Sequence, residues 1–441
     1  MENSAQHRSW TLNLSFRTAT AALAITILFA LAVAMTPSVQ AQAFTVLHTF
    51  TGAQDGANPY TGLIMDRAGN FYGATKFGGI GDAGVVFKIT QRGSGWVFTT
   101  LHEFAGSEGR SPIGLTLGLD GNLYGATTFG GAGGSCNGVG CGAVFKLSPP
   151  ATSCKSVLCP WLATVLHRFT GGADGGRPYS GVVFDGAGNL YGTTAQGGQQ
   201  SGVCAETGCG VVYELTPSGG SWTQTVIYTF SGGSDGDSPF AGLIFDTAGN
   251  LYGATGYGGT GSVGTVFELT PSGSGWAKAT LYDFHGGIDG AYPDGGLILG
   301  LPGNLYGTTV VGGAGNGGTV FQLSTSGGGW THTVLYEFTD GDLYPDASLF
   351  MDSAGSLYGT TAGGADTAPY GNVFQLTPSN GTWIYSSLHE FTDGVDGAHP
   401  YSAVIMDANG DLFGTASDGG SMNCASGDDS GTCGVVWEIT P

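Results

Sequence analysis

The chain has 441 residues, enough for two or three ordinary domains or one large repeat domain. Glycine accounts for 84 residues and charged residues for only 10%, yet 41% of the chain is hydrophobic, which excludes a disordered glycine-rich tract and implies many turns between short apolar strands. Acids outnumber bases 33 to 12, so the surface repels phosphate backbones and excludes nucleic acid as the expected partner, while cations and neutral polymers such as glycans stay open.

In chain order, residues 1–43 read as an export signal. Arg8 and Arg17 precede an apolar run from Thr18 to Met35, and the small residues of "TPSVQAQA" offer cleavage after Ala41 or Ala43. An uncleaved membrane anchor is the alternative, because the run is nearly long enough to span a bilayer. No second apolar run of that length follows, so the mature chain is expected to carry no membrane span. The expected location is extracellular, cell-surface or periplasmic.

From residue 44 onward one pattern repeats. A lone apolar run, "FTVLHTF" at 44–50, is followed by seven units, each built around a shared phrase: "GNFYGAT" at 69, "GNLYGAT" at 121, "GNLYGTT" at 188, "GNLYGAT" at 249, "GNLYGTT" at 303, "GSLYGTT" at 355 and "GDLFGTA" at 410. Before the phrase comes a run such as "GLIMD" at 62, after it one such as "GVVFKIT" at 84, and a last run such as "WVFTTLHEF" at 96 closes the unit. These four runs, named A, B, C and D, are short, rich in Val, Ile, Phe, Tyr and Thr, and bounded by Gly, Pro, Asp and Ser, which makes them strands. Several are apolar throughout, so both strand faces are covered. Seven units of four strands predict an all-β fold, a seven-bladed β-propeller over residues 44–441. The chain starts on a D strand and ends on a C strand, "GVVWEIT" at 434–440, so the N-terminal strand is expected to complete the last blade and close the ring. Trp96, Trp161, Trp222, Trp276, Trp330 and Trp383 each lie six residues before the His or Tyr of the D run, and the N-terminal copy has Gln42 there.

The recurrent "GNLYGTT…GG…G-VF-L" phrase resembles the GloVer (Gloeo_Verruco) repeats of exported bacterial proteins, over essentially residues 44–441. The resemblance implies an exported repeat protein, often with a C-terminal surface anchor, and no particular activity. This chain ends at "WEITP" without a glycine-serine linker, apolar tail or sorting motif, so free secretion or periplasmic residence is expected over covalent attachment.

Eight cysteines fall in four close pairs, Cys136 with Cys141, Cys154 with Cys159, Cys204 with Cys209 and Cys424 with Cys433, which in an exported chain are expected as disulfides. Zinc is the alternative, but the spacing lacks the usual C-x2-C. The ring positions Tyr72, Tyr124, Tyr191, Tyr252, Tyr306, Tyr358 and Phe413 are expected to pack between blades, and the glycine after each implies a close approach with no room for a β-carbon. The A–B turns ("DRAGN" at 66, "DGAGN" at 185) read as tight hairpins whose Asp accepts turn amides.

The D–A loops carry an acid-Gly-x-x-Pro pattern with Asp55, Glu108, Asp174, Asp235, Asp289 and Asp396, and Asp340 one residue out of step. In a ring these acids would rim one mouth of the channel, at the end where three cysteine pairs staple the B–C loops. That face is the candidate binding face, and its carboxylates are candidates for Ca²⁺ or a cationic partner, although no loop has the D-x-D-x-D-G spacing. His48, His102, His167 and His389 share a position with Tyr228, Tyr282 and Tyr336, an interfacial aromatic; His285, His332 and His399 pair with no evident nucleophile. There is no G-x-S-x-G, H-E-x-x-H or P-loop, so no catalytic residue is assigned and no cofactor beyond calcium is expected. The sequence reads best as a non-catalytic binding or scaffold module for an extracellular glycan, protein or cell-envelope component. The alternatives are a polysaccharide hydrolase or lyase using acids at the channel mouth, and a self-associating surface protein. An enzyme would break the repeat symmetry with odd polar residues converging on the axis.

Overall fold

A computed structural model describes residues 42–131, 136–150, 160–273, 275–300, 303–339, 343–363, 369–420, 424–425 and 431–441. Residues 1–41 of the expected export signal (1–43), the Cys154–Cys159 pair and Asp340 lie outside the described residues. Each repeat folds into one four-stranded antiparallel sheet, and seven such sheets form a β-propeller with no α-helix among the described residues. In the first blade strands A to D are Ile64–Met65, Phe71–Ala74, Val85–Arg92 and Gly95–Glu103. The last blade takes Ile405–Met406, Leu412–Ala416 and Val435–Thr440 as A to C, and Ala43–Thr49 lies beside Val435–Thr440 as its fourth strand. The Phe50 N–H donates to the Gly434 carbonyl at 3.1 Å, continuing that edge.

The repeated phrase has a physical reason at each position. Asp66 accepts the backbone N–H of Ala68 and Asn70, and the Tyr72 hydroxyl donates to the same carboxylate at 3.0 Å, which fixes the A–B turn to strand B. Strand B is buried throughout, and its Gly73 pairs in register with Phe87 of strand C. A β-carbon on Gly73 would lie 2.4 Å from the Phe87 ring and 2.9 Å from Leu63, so the position admits only hydrogen. The same ring-over-glycine contact recurs at Gly192 under Tyr213 and at Gly414 under Trp437.

Blades meet through aromatic pairs. Tyr72, Tyr124, Tyr191, Tyr252, Tyr306 and Phe413 each pack against the D-strand Trp of the following blade, with ring centroids 5.8 to 6.5 Å apart. Two residues after that Trp, or after Gln42 in the N-terminal strand, a side chain stacks on the His or Tyr ring of the preceding D strand: Phe98 on His48 at 3.8 Å, His332 on Tyr282 at 4.3 Å, Tyr385 on Tyr336 at 4.7 Å and Phe44 on His389 at 3.7 Å. Burial holds His332 far below the usual imidazole range, at about 4, so at neutral pH it is an uncharged stacking ring.

Candidate functional site

The D–A loop carries the chain from the outer strand of one blade to the inner strand of the next. Its acid is held inside the loop. Asp55 accepts from His48 at 3.3 Å and from the Thr51 N–H at 3.0 Å; Glu108 pairs with His102, Asp174 with His167, Asp235 with Tyr228, Asp289 with Tyr282 and Asp396 with His389 in the same way. Burial works to raise the Asp55 carboxyl, but the bonds from His48 and Thr51 outweigh it and leave it below its ordinary value. Asp235 also receives the buried Lys278 ammonium at 3.0 Å. The structure therefore places the six described acids against their own D strands and does not bring them together, and none of them lines the axial cavity. Among the described residues no three His, Cys, Asp or Glu side chains are grouped to hold a metal ion.

Beyond the acid the loop turns sharply. The residue before each proline has positive φ in every blade: Asn58 (53°), Ser111 (54°), Arg177 (54°), Ser238 (55°), Tyr292 (59°), Tyr344 (49°) and His399 (54°). That conformation costs a non-glycine residue about 1–2 kcal/mol, and a following proline disfavours departures from extended backbone, so each turn must be held from outside. It is. The N–H of Asn58 donates to Cys433 O at 2.8 Å, that of Ser111 to Ala83 O at 2.8 Å and that of Arg177 to Cys141 O at 2.7 Å, each at the start of the preceding blade's strand C. The proline ring then packs on the glycine opening that strand: a β-carbon on Gly434 (φ +85°) would meet Pro59 Cδ at 2.7 Å. The disulfides Cys136–Cys141, Cys204–Cys209 and Cys424–Cys433 are formed, and the first two lie directly under Gly171 and Gly232 of the next D–A loops.

The turn delivers the residue after the proline to the axis. Seven such residues, Tyr60, Ile113, Tyr179, Phe240, Asp294, Asp346 and Tyr401, line a cavity of about 520 Å³ with the small residues that follow them. Threonines of strand B tie these inner segments together: Thr193 donates to Ala241 O, Thr308 to Ala347 O, Thr360 to Ser402 O and Thr415 to Pro59 O, at 3.0 to 3.2 Å. Tyr60 and Tyr401 stack at 4.4 Å, and Phe240 meets Tyr179 edge-on at 5.2 Å and Tyr257 at 6.0 Å. Two larger clefts of about 900 and 700 Å³ open between blades at the A–B turn end, but they are built from the shared turn residues Asp246, Asp352, Asp120 and Asp185 and their neighbours. At the axis the repeats differ from one another in chemical kind.

Asp294 and Asp346 are that difference. Burial pushes the Asp294 carboxyl up to about 6, and burial together with the charge of Asp294 pushes Asp346 up to about 7. Asp294 Oδ1 is fully buried without a hydrogen-bond partner among the described residues. No Lys, Arg or His lines the cavity among the described residues. The Lys76 Nζ lies 5.1 Å from the Tyr60 ring centroid. Sequence reasoning missed this pair by following the recurrent acids Asp289 and Asp340 earlier in the same loops. The available signal was the lack of recurrence after proline.

Among solved structures, a fungal alcohol oxidase of the AA5 family in complex with copper is similar at TM-score 0.54 and 14% identity, over 91% of this chain and 77% of its own. A PQQ-bound aldose sugar dehydrogenase from Streptomyces coelicolor is similar at TM-score 0.42 and 13% identity over 90% of this chain and 98% of its own. PorZ, a surface component of the type-IX secretion system of Porphyromonas gingivalis, is similar at 0.47 and 15% over 87% and 46%. At these identities the likeness is one of fold. No curated protein matches the sequence significantly. The repeat pattern itself is the more specific evidence: the Gloeobacter/Verrucomicrobia repeat matches residues 30–206 and 200–427, and the chain belongs to that family.

Proposed function

We propose that this chain is an exported, non-catalytic binding protein that takes the end of a glycan in its axial cavity. The observation that carries the reading is the lining: Tyr60, Tyr401, Tyr179 and Phe240 gather around one concave site, with Ser180, Ser348 and Ser402 among the small residues beside them. Aromatic surface with a few placed polar groups is the usual make-up of a small-ligand site, and ring faces suit the C–H faces of a sugar. The volume fits a sugar unit or two rather than a folded partner. Export is supported by the disulfides. A glycan-binding screen of the purified full chain is expected to give saccharide hits that weaken at least tenfold in Tyr179→Ala and in Tyr401→Ala; a screen with no saccharide hits overturns the reading.

The carboxyl pair favours one second reading, a glycoside hydrolase or lyase. Two carboxyls in one cavity, one of them held protonated near neutral pH, is the arrangement acid–base cleavage of a glycosidic bond needs. Under that reading, oligosaccharides incubated with the chain are shortened, and Asp346→Asn abolishes the cleavage. Unchanged oligosaccharides that nevertheless bind leave the non-catalytic reading standing.

A further inference from the structure

The axial lining is acidic and π-rich on one side, and no Lys, Arg or His is among its described residues. Five blades place Tyr, Ile or Phe after the proline, and two adjacent blades place Asp294 and Asp346. Two neighbouring carboxyls in a walled cavity either share a proton or take up a cation, because like charges that close cannot both ionise at low cost. Asp294 Oδ1 is buried without a hydrogen-bond partner among the described residues, and what acts on the Asp346 carboxyl is burial and the charge of Asp294. On one side of the pair stand Phe240 and Tyr257, and on the other the stacked Tyr401 and Tyr60. Aromatic walls beside carboxylates form the arrangement that favours an organic ammonium over a hydrated metal ion, since ring faces attract the cation and shed its water.

We propose that the ligand of this cavity carries an ammonium group on a sugar ring, an amino sugar, with the nitrogen between Asp294 and Asp346 and the ring against Tyr401 and Tyr60. This rests on the glycan reading above and narrows it. The ammonium donates to both carboxylates, so its binding expels the proton the pair holds when the site is empty. Affinity therefore rises with pH through the range where that proton leaves, until the amine itself is deprotonated. Other titratable groups near the site are His399, whose ring lies 6.3 Å from Tyr401, Asp418 beside Tyr60, Asp237 beside Tyr257, and Lys76 over Tyr60.

The test is calorimetric titration of the purified full chain at pH 5 and pH 7.5 with glucosamine oligomers, their N-acetylated and unsubstituted glucose counterparts, choline, and calcium chloride. Glucosamine oligomers are expected to bind at least tenfold tighter than either neutral series at pH 7.5, a charge-assisted pair being worth about that ratio. The preference is expected to shrink at pH 5 and to vanish in Asp294→Asn/Asp346→Asn, while that variant still binds the neutral sugars. Circular dichroism of the variant checks that it folds. Neutral sugars binding as tightly as the amino sugars overturns the ammonium inference and leaves the glycan reading intact. Choline or calcium binding in place of every sugar overturns both, as does the absence of any binding.

Discussion

Gly73→Ala is expected to destabilise the propeller by about 2–4 kcal/mol, the upper range for a residue forced into a packed interior. The added carbon would lie 2.4 Å from the Phe87 ring, itself fully buried, and 2.9 Å from Leu63, so neither neighbour has free space to retreat into. Gly69→Ala, four residues earlier, has nothing within 4 Å of the added carbon and pays only for its positive φ of 76°, about 1 kcal/mol. Denaturant midpoints of the two variants separate sterics from backbone conformation. Phe87→Leu in the Gly73→Ala chain is expected to recover part of the loss. If Gly73→Ala costs no more than Gly69→Ala, the ring-over-glycine account of strand B is wrong.

The second large effect is expected at the axis and depends on pH. Asp294 and Asp346 have folded-state pKa values raised to about 6 and about 7, above the ordinary 3.8. An acid raised on folding gives up protons more readily when unfolded, so the pair favours the folded state below pH 4 relative to above pH 7. Stability is lost as pH rises through that window. Discounted for water in the cavity, the loss is on the order of 2–4 kcal/mol for the pair. Asp294→Asn/Asp346→Asn is therefore expected to be more stable than the parent at pH 8 by about that amount and nearly equal to it at pH 4. Asp294→Asn alone is expected to lower the Asp346 pKa, because it removes the neighbouring charge. Carbon-detected NMR titration of the Asp346 carboxyl reads that shift directly, and an unshifted Asp346 would show that the two carboxyls are not coupled.

The blade count, the strand order within a blade and the turn chemistry were legible in the sequence because they are repeated from blade to blade. The aromatic at Tyr72 and the glycine at Gly73 recur in all seven copies, and the Asp66 turn in five, because blades share the same inter-blade ring, the same close strand crossing and nearly the same turn. The axial site was hidden for the opposite reason. The position after proline reads Tyr, Ile, Tyr, Phe, Asp, Asp, Tyr, which along a chain looks like tolerance. Only when the fold sets those seven residues around one cavity does the Asp294–Asp346 pair become a local charge in an aromatic wall. The positive-φ residue before each proline was equally invisible, since Asn58, Ser111, Arg177, Ser238 and Tyr292 share no side-chain chemistry. What they share is a backbone turn imposed by the preceding blade. In this architecture recurrence marks what builds the ring, and departure from it at the axis marks the site proposed above for a ligand.

The most direct test of that claim blocks the cavity without touching the acids. Ile113 lines it from the blade farthest from the carboxyl pair, and Ile113→Trp adds bulk to the lumen. In a saccharide-binding screen of the parent and Ile113→Trp chains at pH 7.5, the parent is expected to give hits that the variant loses at unchanged thermal stability. Hits retained in full by a folded Ile113→Trp chain would contradict the account, because the ligand would then bind elsewhere on the molecule.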